Sequence, residues 1–314
     1  MTDKVPFFNL KDGNTIPAIG IGTNRLTQPQ KTVEIAIDIG YRLIDGAFLY
    51  KNEVEVGAGI RNKIKDGIVE RKDMFIISKL WRTMHNPEDV RPAIESTLKN
   101  LGLKYVDVYL MHMPLAAKKA KNEYEEINLE EADIPIEDTW KAMGNLVKLG
   151  YTKSIGVSNF NSKQLARIIN KENYFPVINE VEVNPYFSQK LLLEYCKSTG
   201  IQVIAYAPFY SPENPLADID VPLLVTRPTI TKLAEKHKKT PGQIILRYLY
   251  QIDCVPIPKS NSIQHLKDNI DIFGSWNGLD SNDMHEINKL NSGKRSFRFD
   301  ASRHYKEYPF DEKF

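Results

Sequence analysis

The sequence predicts an α/β chain folded as a closed (β/α)8 barrel, and three observations predict it. Eight short apolar, β-branched runs alternate with amphipathic stretches of helical spacing along the whole chain. The runs are near-continuously apolar, as strands buried on both faces of a parallel sheet are. The length of 314 residues suits eight strand–helix units in one barrel. An open doubly wound sheet satisfies the same periodicity, because spacing alone does not report closure.

A hairpin is expected first. PFFNL and TIPAIG flank a turn at Asp12-Gly13-Asn14 and are placed to cap the bottom of a barrel. The strand runs then begin at Ile16 (IPAIGIGT), Tyr41 (YRLIDGA), Met74 (MFIISKLW) and Val106 (VDVYLMHMP). They continue at Thr152 (TKSIGVSNF), Pro176 (PVINEVEVNP), Ile201 (IQVIAYAPF) and Cys254 (CVPIPKS). Between them, TVEIAIDIG sets Val33, Ile37 and Ile39 on one side of a helix. VRPAIESTLKNLG follows an N-cap pattern at Asn86-Pro87 and stops at Gly102. TPGQIILRYLYQ opens with Thr240 as cap and Pro241 at the first helical position, where a missing N–H costs little. The connections 115–136 and 210–227 are long enough to be functional, while the charged stretch 118–133 reads as a solvated face. From residue 291 the helical period ends, yet Phe297, Phe299, Tyr305, Tyr308 and Phe310 follow. This tail is expected to pack over something. No compositional break divides the chain, so residues 1–314 read as one domain with a C-terminal loop from about 291 to 314.

Composition excludes several function classes. Of 314 residues, 42 are basic and 40 acidic, a net charge of +2, which leaves no basic stripe for a nucleic acid. Cys196 and Cys254 are too few for a disulfide framework. MTDKVPFFNL has no signal-peptide core and no later segment reaches membrane-spanning length, so a cytoplasmic, reducing compartment is expected. No HxH or Cys-pair spacing suggests a metal. Gly20-Ile21-Gly22 lacks the third glycine of a dinucleotide fingerprint and reads as a strand-end turn.

Ionisable residues at strand ends carry the functional signal. Asp45 ends RLID, Lys79 ends FIISK and His112 ends VYLMH, and Tyr50 follows Asp45 by five positions. In a barrel these ends converge on the face where active sites sit. A phenol titrates near about 10. A neighbouring ammonium is expected to lower it, with Asp45 holding the ammonium and His112 orienting a carbonyl oxygen. Taken singly, each has a bland alternative: a structural ion pair for Asp45 with Lys79, a satisfied rim residue for His112, packing for Tyr50.

Three ordered motifs give these residues a family context. GYRLIDGAFLYKNEVEVG (40–57), with Asp45, Tyr50 and Glu53, KSIGVSNF (153–160) and IPKSNSIQHLKDN (257–269) resemble the signatures of the aldo-keto reductases. SKLW and the His112 strand extend the resemblance over essentially the whole chain. It implies a (β/α)8 barrel that uses NADPH without metal to reduce a small-molecule carbonyl, with Tyr50 as general acid. Asp45 and Lys79 would tune Tyr50. Ser158 and Asn159 would hold the nicotinamide carboxamide and Tyr206 would stack on its ring. Lys259 and Ser260 would meet the adenosine 2′-phosphate, with Asn269 near the adenine and Glu213 latching the loop over the pyrophosphate. Thr23, Ala207, Phe209, Ser211 and Asp268 complete the implied cofactor set. Asn24, Leu49, Trp81, Met113 and Phe299 would line the substrate pocket. In isolation, Ser158-Asn159 reads as a turn and Tyr206 as core packing.

Departures from the family pattern refine the expectation. His265 stands where many relatives have Arg, so NADPH is expected with weakened discrimination against NADH. Glu180 stands where relatives usually have Gln, and if ionised it should favour the oxidised nicotinamide. Asn24 and Met113 replace large rings, leaving Trp81 and Phe209 as apolar walls, so carbonyls bulkier than simple sugars are expected. The loops and ending resemble the insect-type branch that includes 3-dehydroecdysteroid reductases. The alternative is a cofactor-binding structural or regulatory protein with little turnover. A monomer is expected.

Overall fold

The chain enters through a short antiparallel hairpin, β1 (Phe7–Asn9) and β2 (Thr15–Pro17), with Asn9 opposite Thr15. The computed structural model describes residues 5–122, 124–125, 129–169, 174–210, 221–274 and 276–311. Eight parallel strands follow in chain order: β3 (Gly20–Gly22), β4 (Leu43–Asp45), β5 (Phe75–Leu80), β6 (Val106–Met111), β7 (Thr152–Ser158), β8 (Ile178–Glu182), β9 (Gln202–Tyr206) and β10 (Cys254–Pro256). The seam between the first and last is bridged by Gly22 N–H donating to Pro258 O at 3.3 Å. A Cβ at Gly22 would stand 3.0 Å from Ile257 O, so this close approach requires glycine. The expected barrel is therefore the observed architecture. The run IPAIGIGT, expected as one strand, is instead divided between β2 and β3 at Pro17, which has no N–H for a continuous ladder.

Helices alternate with the strands. α1 (Pro29–Ile39), α2 (Glu53–Lys65), α3 (Pro87–Leu101), α4 (Ile136–Lys148), α5 (Ser162–Ile169) and α6 (Lys190–Thr199) follow β3 to β8 in turn. Among the described residues, α7 (Pro228–His237) and α8 (Pro241–Gln251) lie between β9 and β10, and α9 (Ile263–Ile270) and α10 (Ser281–Asn288) follow. Thr240 caps α8 in a reciprocal box with Gln243, as its sequence predicts. Asn86 does not cap α3. Its amide turns to Glu88 Oε1 at 3.2 Å, and Pro87 alone starts the helix. Gly102 ends α3 in the left-handed conformation, φ +63°.

The period of two along each strand builds the site. Inward positions Leu43, Ile77, Val108, Leu110, Ile178 and Ile204 fill the barrel, and Leu10 and Ile16 of the hairpin plug its N-terminal end. The next inward position on each row is polar: Asp45 after Leu43, Lys79 after Ile77, His112 after Leu110, Glu180 after Ile178 and Tyr206 after Ile204. Polar groups thus crown an apolar stack at the C-terminal end of the barrel.

The tail closes over that crown, as its aromatic content predicted. Ser296 N–H and Oγ–H and Phe297 N–H donate to the Glu182 carboxylate at 2.8, 2.5 and 3.0 Å, pinning the tail to β8. Phe297 meets the Tyr206 ring edge-on at 5.6 Å, Phe299 stacks on Phe310 at 6.1 Å, and buried Tyr305 donates to Leu129 O. The loop 118–133 is not merely a solvated face. Lys118 and Glu130 pair on its outside, but Tyr124 stacks on Phe48 at 4.8 Å and Leu129 is buried. Glu125 O accepts from Trp81 Nε1 at 3.1 Å. Charged residues on one side of this loop conceal an apolar side that faces the barrel mouth.

Candidate active site

Lys79 is the centre of the crown. The register sets Asp45 beside Ile77, so Lys79, two residues on, stands one inward step above its neighbour on β4. Its ammonium donates to Asp45 Oδ1 at 2.5 Å and to Gly46 O at 3.0 Å, and reaches the Tyr50 hydroxyl at 3.5 Å. From the far side of the barrel, Glu180 Oε1 approaches the same ammonium at 3.3 Å. Lys79, Asp45 and Glu180 are all buried. Tyr50 ends the single helical turn Phe48–Tyr50, which follows β4 and carries it back over the barrel axis.

The electrostatics follow from burial. Burial alone would depress the Lys79 ammonium, yet Asp45 and Glu180 outweigh it and hold it charged, above the ordinary lysine range. Burial raises the Tyr50 phenol; Lys79 opposes this, and Asp45 and Glu180 reinforce it, so its net direction is upward. The expected lowering by Lys79 is thus corrected: the ammonium acts as expected but is outweighed. Tyr50 is held in its protonated, neutral form. Burial, then Asp45, push Glu180 up to about 8. His112 lies well below the usual imidazole range through burial and then Lys79, so it is neutral and carries a single N–H.

His112 sits edge-on to both Tyr50 and Trp81, with ring centroids 5.9 and 5.3 Å apart. Trp81 and Met113 are buried in an apolar cluster over the barrel mouth, against which Leu49, Phe48, Phe299 and Phe310 pack. The expected substrate residues Leu49, Trp81, Met113 and Phe299 therefore converge. Asn24 is exposed. Glu53 serves structure: it accepts from Ser78 Oγ at 2.8 Å and Asn100 Nδ2 at 3.1 Å.

A second group adjoins the first. Asn159 Nδ2 donates to His112 O and Ser158 Oγ, both at 3.0 Å, while Asn159 Oδ1 accepts from the Tyr206 hydroxyl at 2.7 Å. Ser158 Oγ donates to Glu180 O at 2.8 Å. Asn159 and Ala207 hold left-handed backbone, φ +64° and +47°, which is uncommon away from glycine and clusters at functional sites. Thr23 is buried and donates twice to Asp45 O. Glu180 Oε2 is a buried polar atom with no protein partner.

A third group lies beyond β10. Ser260 is buried and Lys259 and His265 are exposed around Ser262, which caps α9. A Cβ built at Gly242 would meet the Phe209 ring at 3.7 Å and Asn269 Oδ1 at 3.8 Å, so these two residues flank one small gap. Asp268 accepts from Gln264 Nε2 at 2.8 Å. Ser211 and Glu213 lie outside the described residues. Among the described residues no cluster of His, Cys, Asp and Glu could hold a metal, and no helix is long and apolar enough to cross a membrane.

Sequence reasoning missed three contributors. Glu182 is the next inward carboxylate after Glu180, a signal available in NEVEV. Tyr124 was hidden in a charged loop. Arg295 lies between the rings of Phe187 and Phe310, 4.3 and 3.9 Å from their centroids. Nothing local in GKRSF announces it.

Comparison with known proteins finds similar chains over almost the whole length. The profile of the aldo/keto reductase family matches residues 18–292. A prostaglandin-E(2) 9-reductase of Oryctolagus cuniculus is 43% identical over 318 residues, 97% of each chain. Aldo-keto reductase family 1 member C1 of Homo sapiens is 41% identical over 327 residues and the full length of both. Among solved structures, an aldo-keto reductase of Bombyx mori in complex with NADP superposes with a TM-score of 0.88, at 38% identity over 98% of this chain and 99% of that one.

Proposed function

The chain belongs to the aldo/keto reductase family and reduces aldehydes or ketones with NAD(P)H; from that premise we propose that Tyr50 donates the proton and that the natural substrate is a bulky apolar carbonyl. The observation that carries the first part is the Lys79 ammonium shared between Asp45 and Tyr50, beside a neutral His112. The His112 N–H binds and orients the carbonyl oxygen. Tyr50 passes its hydroxyl proton to that oxygen as negative charge develops there, and the Lys79 ammonium stabilises the phenolate left behind. Asp45 holds the ammonium in place. When bound, the reduced nicotinamide supplies the hydride.

The residues fit that group. Ser158 and Asn159 offer hydroxyl and amide groups, Glu180 a free carboxyl oxygen, and Tyr206 a ring for stacking. Phe209 and Asn269 would flank the adenine, with Lys259, Ser260 and His265 near the 2′-phosphate and Thr23, Ala207, Ser211, Glu213 and Asp268 along the rest. The cytoplasm and a monomeric state are part of the same reading.

Substrate size rests on the apolar cluster at the barrel mouth, with Trp81, Met113, Leu49 and Phe299 as its walls. A relative named prostaglandin-E(2) 9-reductase supports the choice. The test compares kcat/KM for polycyclic or lipid ketones with that for small aldoses. A preference of at least about tenfold for the large apolar carbonyls is expected; the reverse preference would overturn the assignment. Binding of cofactor with no turnover of any carbonyl would favour the non-catalytic alternative.

A further inference from the structure

We propose that Glu180 exchanges a proton with solvent when the cofactor binds, so that this protein's choice between oxidised and reduced nicotinamide is set by pH. The inference rests on the nicotinamide reading above and deepens it.

The geometry gives Lys79 two carboxyl neighbours, Asp45 at 2.5 Å and Glu180 at 3.3 Å, all buried. One ammonium balances one carboxylate. The two carboxyls share one ammonium and repel each other when both are ionised, so the trio is balanced when one of them carries a proton. Asp45 has the shorter ion pair and the Gly46 carbonyl shares its ammonium, so the proton belongs to Glu180.

The surroundings offer Glu180 nothing further. Asp45 faces it from β4, Lys79 from β5, Tyr50 from the turn after β4 and Tyr206 from β9. Glu182, next on its own face of β8, is turned to Ser296 and Phe297, and Arg295 stands beyond Tyr206. Lys79 is the one cation in contact among the described residues, and Glu180 Oε2 has no donor. Burial and Asp45 hold the carboxyl at about 8, so at neutral pH it is mostly protonated and resembles a glutamine amide in charge.

A positively charged oxidised ring beside this carboxyl favours its ionised form. Its pKa is then lower in that complex than in the free protein, and between the two values binding releases the proton to solvent. Affinity for the oxidised form therefore rises with pH, by up to about tenfold per unit, and levels off above the free value. The reduced ring is neutral and exerts no such pull.

The test titrates NADP+ and NADPH against the full-length protein and Glu180→Gln from pH 6 to 9 by tryptophan-fluorescence quenching. Calorimetry in two buffers of different ionisation enthalpy measures the protons released. In the wild type, Kd(NADPH)/Kd(NADP+) should rise about tenfold or more between pH 6 and 8; in Glu180→Gln it should stay flat. At pH 7, NADP+ binding should release most of one proton more than NADPH binding does. Any protonation change at the 2′-phosphate is common to both forms and cancels in the ratio. A flat wild-type ratio with equal proton release overturns the inference while leaving the cofactor reading intact. Failure of both nucleotides to bind overturns the reading itself. The wild-type calorimetry decides the matter even if the variant does not fold.

Discussion

The hydroxyl of Tyr206 donates to Asn159 Oδ1 at 2.7 Å, and this single bond orients the amide so that Nδ2 points to Ser158 Oγ and His112 O. Tyr206→Phe keeps the ring but releases the amide. One neutral hydrogen bond contributes about 0.5–1.5 kcal/mol, so we predict a roughly 3–10-fold weaker NADPH affinity with little change in Tm. Fluorescence titration checks it; an unchanged Kd would mean that Asn159 needs no such orientation.

His265 is exposed near Lys259 and Ser260, in place of the guanidinium many relatives carry. His265→Arg should raise the NADPH-over-NADH ratio of kcat/KM by about tenfold, because a charge-assisted bidentate guanidinium grip replaces an imidazole. The observable is that ratio under one buffer. No change would place the 2′-phosphate elsewhere.

Glu182 accepts three hydrogen bonds from the start of the tail. Glu182→Gln keeps the shape but gives up a carboxylate oxygen and the charge that strengthens those bonds. The tail should become severalfold more sensitive to limited proteolysis, and KM for a large apolar carbonyl should rise more than kcat falls. Equal cleavage rates in the two proteins would contradict the pinning role.

His85 is fully buried with neither ring nitrogen bonded, and burial, then Arg82, lower it to about 3. The unfolded chain takes up this proton below the ordinary value of 6.5, the folded chain only near 3. Between those values the unfolded state binds more protons, so stability falls as pH is lowered, by about 1.4 kcal/mol per unit from this group. His85→Leu should flatten that part of the slope between pH 6.5 and 5, read from urea midpoints. An identical slope in both proteins would refute it.

Much of the site was legible because strand chemistry is local. An ionisable residue ending an apolar run, as in RLID, FIISK and VYLMH, marks the inward position at a barrel mouth whatever lies elsewhere. What was not legible depends on long-range packing. The bond from Ser296 to Glu182 joins residues 114 apart, and the Glu180–Lys79 contact crosses the barrel. The direction of the Tyr50 shift failed for the same reason: Lys79 is visible in sequence, but the burial that outweighs it is not. The division of IPAIGIGT between hairpin and barrel turned on Pro17, a residue whose effect local pattern could have revealed.

The most direct test of the central claim, proton donation by Tyr50, is Tyr50→Phe. NADPH oxidation is followed at saturating activated aromatic aldehyde, alongside NADPH binding to each protein. The expected result is a binding constant within about threefold of wild type and a kcat reduced by about 10²–10⁴, the range one general acid supplies. A kcat within tenfold of wild type would contradict it and move the proton donor to His112 or to solvent.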